Sequence, residues 1–250
     1  MPDKQVRKGV PVSHVKWAAR YFVDKRPGVI VDLGDHTDFP SLSSHSKLLE
    51  REGERLVDDL VAGNHADRLF YEEMKSLDPT YQPVRKRLGG NHENRLQRVL
   101  MDHPWLVGLL AKARHDDGSP LEPWACAKFF GWSHVPFLCP WRYRGFVFQH
   151  YFPSNGTGRA IGGNAQYKLS RIRESFVQGH VQGIDLAMHT TPTGRQQVGI
   201  VAGSFYQHKE PYIPDAQNNH WRGIVMMHEV HSGACDPMTV SMGFLRRRYS

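Results

Sequence analysis

Three short stretches of this chain put metal-binding side chains just past segments able to form strands: Gly34-Asp35-His36-Thr37-Asp38, Gly90-Asn91-His92-Glu93 and Gly179-His180. An Asp carboxylate, an Asn carbonyl and neutral imidazoles make a hard-to-borderline donor set, suited to Mn²⁺, Fe or Zn²⁺ rather than to a thiolate-seeking metal. The chemistry such a set supports is metal-assisted hydrolysis. Asn-His after a Gly pair is also ordinary turn chemistry, so the tetrapeptide at 90–93 alone is a weak signal. Its weight comes from the other two stretches.

The elements that must position these residues follow from periodicity. His14 to Lys25 predicts an amphipathic helix, with Val15, Ala18, Ala19, Phe22 and Val23 near helical spacing and Pro27-Gly28 as its stop. Val29 to Leu33 is a β-branched run that reads as a buried strand delivering Asp35 to the sheet's edge. After a loop at Pro40-Ser41-Leu42-Ser43-Ser44, Lys47 to Leu77 reads as mostly helical, with Leu56, Leu60, Val61, Leu69 and Phe70 as core candidates and a break expected at Gly63-Asn64. Val84 to Leu88 leads into Gly89-Gly90. Glu93 to Leu110 is helical through Leu96, Val99, Leu100, Trp105 and Leu109, and Pro104 divides it. The stretch from His115 to Pro140 has no clean period. Later strands are expected at Arg144 to Gln149, at Phe176-Val177, and at Val198 to Phe205, Ile224 to Val230 and Thr239 to Leu245, with a loop at Asn155 to Asn164 and a short helix at Ala165 to Ile172. Helices alternate with strands early and strands dominate late, which predicts two sheets packed face to face with helices outside.

A chain of 250 residues, 40% hydrophobic and 11% aromatic, can bury a full core, and a single α/β domain over 1–250 is expected. Cys126, Cys139 and Cys235 are odd in number and widely spaced, which argues against a disulfide framework and for a reducing, cytoplasmic setting. No apolar run approaches a membrane span and no signal-peptide core follows Met1, so a membrane partner is not expected. The net charge of +7 and pI near 9.4 allow a polyanionic partner such as nucleic acid, although only Arg246-Arg247-Arg248 forms a compact basic run.

On these residues the chain resembles the calcineurin-like metallophosphoesterases, in particular bacteriophage and bacterial members of that superfamily. Their blocks are Asp-x-His, Gly-Asp-x-x-Asp, Gly-Asn-His-Glu/Asp, a lone His after a strand, and Gly-His-x-His. The second is Gly34-Asp35-His36-Thr37-Asp38, the third is Gly90-Asn91-His92-Glu93, and His150 best meets the fourth. Asp3-Lys4-Gln5 and Gly179-His180-Val181-Gln182 depart from the first and fifth, since an amide stands where each has an imidazole. The resemblance implies a four-layer α/β/β/α sandwich in which the first strand is lacking, with Asp3 on a mobile terminus unless the start lies upstream of Met1.

It further implies two divalent cations, Mn²⁺ foremost with Fe or Zn²⁺ as alternatives, bound in a bacterial cell or a phage-infected host. Asp35 would bridge them, Asn91, His150 and His180 would complete one site, and Asp3, Gln5 and Gln182 would complete the other. Replacing two imidazoles by amides should weaken that second site. Implied too is in-line attack on a phosphomonoester or phosphodiester, a nucleotide or a nucleic-acid end among them, by a hydroxide shared between cations about 3.5–4 Å apart. His92 would protonate the leaving group, with Glu93 or Asp38 holding its other nitrogen. Arg159 is a candidate for the substrate phosphate, whereas His36 and His45 are expected at the surface or behind the ligands. The alternative reading is a metallophosphoesterase fold kept as a binding or scaffold protein with one degraded metal site.

Overall fold

The β-branched run at 29–32 forms strand β1 (Val29–Asp32) in a computed structural model that describes residues 1–43, 55–209 and 217–250. Strand β2 (Val84–Leu88) lies parallel to it, with Val29 opposite Val84 and Asp32 opposite Arg87, and β3 (Ser133–Val135) extends the sheet in the order β1-β2-β3. Parallel strands bring their C-terminal ends to one side, so the loops carrying Asp35 and Asn91 emerge as neighbours. The second sheet has the order β4-β5-β6-β8-β7, from β4 (Trp141–Tyr143), β5 (Phe146–Gln149), β6 (Ser175–Gln178), β7 (Ile184–Thr190) and β8 (Gln196–Ala202). Its central strands β5, β6 and β8 are parallel, and β5 and β6 end at His150 and at Gly179-His180. An antiparallel hairpin, β9 (Gly223–His231) and β10 (Ala234–Ser241), completes a mixed α/β fold.

The helices are α1 (Ser13–Lys25), α2 (Leu56–Leu77), α3 (Glu93–Asp102), α4 (Pro104–Lys112), α5 (Pro123–Phe129), α6 (Ala165–Ile172) and α7 (Met242–Tyr249). Three apolar clusters hold the sheets. One joins Phe22 of α1, Phe70 of α2 and Leu245 of α7 to Ile30, Met226 and Val240. A second packs Leu33 and Leu88 against Phe146, Phe148, Val177 and Ile200, with Val225 and Met227 beside them. The third seats Ala165 and Leu169 of α6 on Val147, Phe176 and Val201. Beside the first cluster runs a buried ion network: Lys4 Nζ reaches Asp32 Oδ2 at 2.5 Å, and Arg87 donates to Asp32 at 2.7 Å and to Asp67 at 2.6 Å. It cross-links the N-terminal segment, β1, β2 and α2.

Several expectations are overturned. Asp3 is fully buried, because residues 1–6 run alongside β1: Leu33 N–H donates to Met1 O at 2.9 Å, Gln5 N–H to Asp35 O at 2.9 Å, and Phe205 N–H to Asp3 O at 2.9 Å. A backbone so bonded is no mobile terminus. Gly63-Asn64 does not break α2; Gly63 is there for close approach, since a Cβ would fall 2.1 Å from Thr37 Oγ1. Val61 is exposed instead of core, and of the residues that carry the helical period at 93–110, Trp105 and Leu109 face outward. Residues 242–245 belong to α7 rather than to a strand, with the Ser241 side chain accepting from Phe244 N–H at its start. Unforeseen elements are α5 and β3, in the stretch without a period, and β4 and β7. His45 and residues 47–54 of the expected helix lie outside the described residues. No helix among those described is long and apolar enough to cross a membrane.

Candidate metal centre

Four loops converge where β1, β2, β5 and β6 end. His150 Nε2 and His180 Nδ1 each lie 2.9 Å from Asn91 Oδ1, and His150 Nε2 is 3.3 Å from Asp35 Oδ2. Donor atoms of Asp35, His150 and His180 fall within 4.8 Å of one another, the grouping a metal ion needs. The other nitrogen of His150 is 2.8 Å from Leu33 O, a bond that fixes the ring's orientation. His180 N–H donates to Asp3 Oδ1 at 3.0 Å, which ties the N-terminal segment into the same centre.

The local backbone is unusual for its residue types. Gln5, Asp35 and His180 have φ of 42°, 49° and 66°, left-handed values that a non-glycine residue holds only where its surroundings enforce them. Gly90 is demanded by contact, because a Cβ there would lie 2.1 Å from Asp35 Oδ1 and 2.2 Å from Asp35 N. The two loops are buckled by one carboxylate. Glu93 accepts from Gly90 N–H at 2.9 Å, from Asp35 N–H at 3.0 Å and from Thr37 N–H at 3.0 Å.

Charges at the centre follow from burial and proximity. Burial alone would lower the His150 imidazole, yet the Asp35 carboxylate beside it prevails and lifts it to about 10. Burial would likewise raise Asp35, but His150 and His92 hold it well below the usual carboxylate range. Asp3 goes the other way: burial pushes it up to about 7, against the pull of His150 and with repulsion from Asp35. Burial and the His150 charge bring His180 down to about 4.

Two predicted assignments divide here. Asp38 Oδ1 is 2.9 Å from His92 Nδ1, while His92 Nε2 faces Asp35 Oδ2 at 3.6 Å, so of the two candidate carboxylates Asp38 is the one that lies against the ring. Glu93 does not take that role; its oxygens are used by the three backbone amides. Arg7, which sequence reasoning missed, donates to the second oxygen of Asp38 at 2.9 Å. Its position two residues beyond Gln5 was the available signal. His36 is buried, not superficial, with Nε2 2.9 Å from Gly63 O, and burial lowers it to about 4. Arg159 is exposed on the loop between β5 and α6.

The second set of candidates carries a distinct mark. Among the described residues, Asp3 Oδ2, Gln5 Oε1 and Gln182 Oε1 are buried acceptor atoms without a hydrogen-bond partner. Leaving a buried oxygen unpaired costs about 1–3 kcal/mol, and each of these three is an oxygen that a cation could satisfy. Tyr151 and Phe137 form one wall, with the Tyr151 ring 4.8 Å from that of His180 and 5.6 Å from that of Phe137. No protein-family model matches this chain, and neither a curated protein nor a solved structure matches it.

Proposed function

We propose that this chain is a metal-dependent phosphoesterase acting on a phosphomonoester or phosphodiester. The observation that carries the reading is the convergence of His150 and His180 nitrogens on Asn91 Oδ1 beside Asp35. Asp35, Asn91, His150 and His180 would hold one divalent cation, and Asp35 with Asp3, Gln5 and Gln182 a second. Bound cations supply Lewis acidity, neutralising phosphate charge and lowering the pKa of water. The chain's own residues then do three things. Asp35, fixed by Glu93 through its backbone N–H, would offer its carboxylate to the cations. The pKa of His92 is raised by Asp35 and Asp38 against the effect of burial, which favours the protonated ring, and His92 would donate that proton to the leaving oxygen. Arg7 occupies the far oxygen of Asp38 and so fixes that dyad.

The fold belongs to the same proposal. Three apolar clusters, between the helices and β1, between the two sheets, and between the five-stranded sheet and α6, support an α/β/β/α order of layers. A second reading, a binding or scaffold protein with one weakened site, is favoured by the amides of Gln5 and Gln182 where imidazoles would bind more strongly. Hydrolysis of p-nitrophenyl phosphate and bis(p-nitrophenyl) phosphate with Mn²⁺ separates the two. The enzyme reading expects Mn²⁺-dependent turnover that Asp35→Asn abolishes. Turnover by neither protein, with one cation bound to the wild type, supports the scaffold.

A further inference from the structure

Two aromatic rings stand beside the metal centre without belonging to the core. Phe137 and Tyr151 are half-buried, and neither enters any of the apolar clusters among the described residues. Their ring neighbours there are each other and the imidazoles of the centre. Tyr151 lies 4.8 Å from His180 and 5.9 Å from His150, and Phe137 lies 6.5 Å from His150, all within the range of ring contacts.

The backbone is bent to put Phe137 in that place. Strand β3 ends at Val135, and Cys139 N–H then donates to Pro136 O at 3.0 Å, so Phe137 and Leu138 are the central pair of a four-residue turn. Leu138 has φ of 59°, a left-handed value that a leucine holds only where its surroundings enforce it. Two neighbours do so. The Gln149 side-chain amide donates to Leu138 O at 2.8 Å, and Gly89 N–H donates to Val135 O at 2.8 Å. Gly89 also leaves room for the turn, since a Cβ there would lie 2.7 Å from Phe137 N. Gln149 directly precedes His150 and Gly89 stands two residues before Asn91, so the turn is fastened to two of the loops that carry candidate ligands.

We propose that the corner between Phe137 and Tyr151 is the subsite for a planar aromatic group on the phosphate ester, an aryl ring or a nucleobase. The inference rests on the phosphoesterase reading, which brings the phosphate to Asp35, Asn91, His150 and His180. The two rings meet at 77° with centroids 5.6 Å apart, and so form two sides of a corner. A third flat ring can stack on the face of one while meeting the other edge to face, the two arrangements that aromatic pairs favour. A saturated ring of similar size has no π face to offer and gains only apolar contact.

Calorimetric titration of the whole chain in Mn²⁺ tests this with four non-hydrolysable ligands: methylphosphonate, cyclohexylphosphonate, phenylphosphonate and the methylene phosphonate analogue of AMP. Stacking predicts that at least one aromatic ligand binds roughly 5–150-fold tighter than methylphosphonate, and clearly tighter than cyclohexylphosphonate. Phenylphosphonate ahead assigns an aryl ester; the AMP analogue ahead assigns a nucleotide. Phe137→Leu and Tyr151→Leu remove a π face while keeping apolar volume, and each should bring that ratio towards one, with thermal unfolding showing that both variants fold. Cyclohexylphosphonate binding as tightly as the aromatic ligands overturns the proposal. So do wild-type protein that binds all four alike or none of them, and a ratio that both leucine variants leave intact. Turnover of p-nitrophenyl phosphate without an aromatic preference removes the subsite and spares the phosphoesterase reading, whereas a preference without turnover keeps the subsite and removes that reading.

Discussion

Glu93→Ala should be among the most damaging substitutions at the centre, although the hydrogen bonds of Glu93 go to backbone amides and not to a predicted ligand's side chain. Its buried carboxylate accepts from three backbone amides, those of Gly90, Asp35 and Thr37. Alanine would strand all three. At about 1–3 kcal/mol for each buried N–H left unpaired, and allowing for water entering the vacated space, the loss should be about 3–6 kcal/mol. Glu93→Gln is the informative control. One amide oxygen can serve the Gly90 and Asp35 amides together, but the NH₂ group then faces Thr37 N–H donor to donor, so the loss should fall to about 1–3 kcal/mol. Equilibrium urea unfolding of the metal-free proteins gives both values, provided the slope is unchanged. Mn²⁺ affinity should weaken in the same order, because the Asp35 loop loses its anchor. If both variants stay within about 0.5 kcal/mol of the wild type, the three amides are not held as described.

The remaining predictions concern the acid, the paired amides and the buried ion network. His92→Ala should slow hydrolysis of an alkyl phosphate roughly 10²–10⁴-fold and that of p-nitrophenyl phosphate far less, because p-nitrophenolate scarcely needs a proton; equal losses on the two substrates would argue against general acid catalysis. Gln5→His and Gln182→His should each tighten the weaker of two Mn²⁺ sites. Their combination should be non-additive by roughly 0.5–3 kcal/mol, as expected of residues sharing one ligand sphere, and a calorimetric titration in which the double variant leaves the weak site unchanged would separate these side chains from it. Burial would raise the Asp67 carboxyl, but Arg87 and His36 hold it lower than usual. A carboxylate so depressed contributes stability above its unfolded pKa near 4 and loses it as the pH falls below that. Asp67→Asn should therefore cost roughly 3–5 kcal/mol at pH 7 and flatten the fall in stability between pH 5 and pH 3; urea midpoints at those pH values that track the wild type would contradict it.

Much of the centre was legible because its chemistry is local. Gly34-Asp35 and Gly90-Asn91 follow β-branched or mixed strands, so a parallel pair suffices to bring them together. His150 was harder. It is 115 residues from Asp35, and only the resemblance linked them before the strands β5 and β6 brought His150 and His180 to the same edge. Where local signals competed, the reading failed. Thr239-Val240 continue naturally into a strand, and the capping Ser241 that turns residues 242–249 into a helix is a single side chain. Helix α4 is apolar nearly all round, so periodicity gave no hint that Trp105 and Leu109 face outward. The role of Gly63 depends on Thr37, and that of Glu93 on amides from two loops; neither contact leaves a trace in spacing.

A metal count on protein purified without chelator tests the central claim most directly. The account predicts one cation retained through Asp35, Asn91, His150 and His180, a second bound only when Mn²⁺ is added, and loss of both in Asp35→Asn. Protein that binds no divalent cation, or an Asp35→Asn variant that holds both as tightly as the wild type, would contradict it.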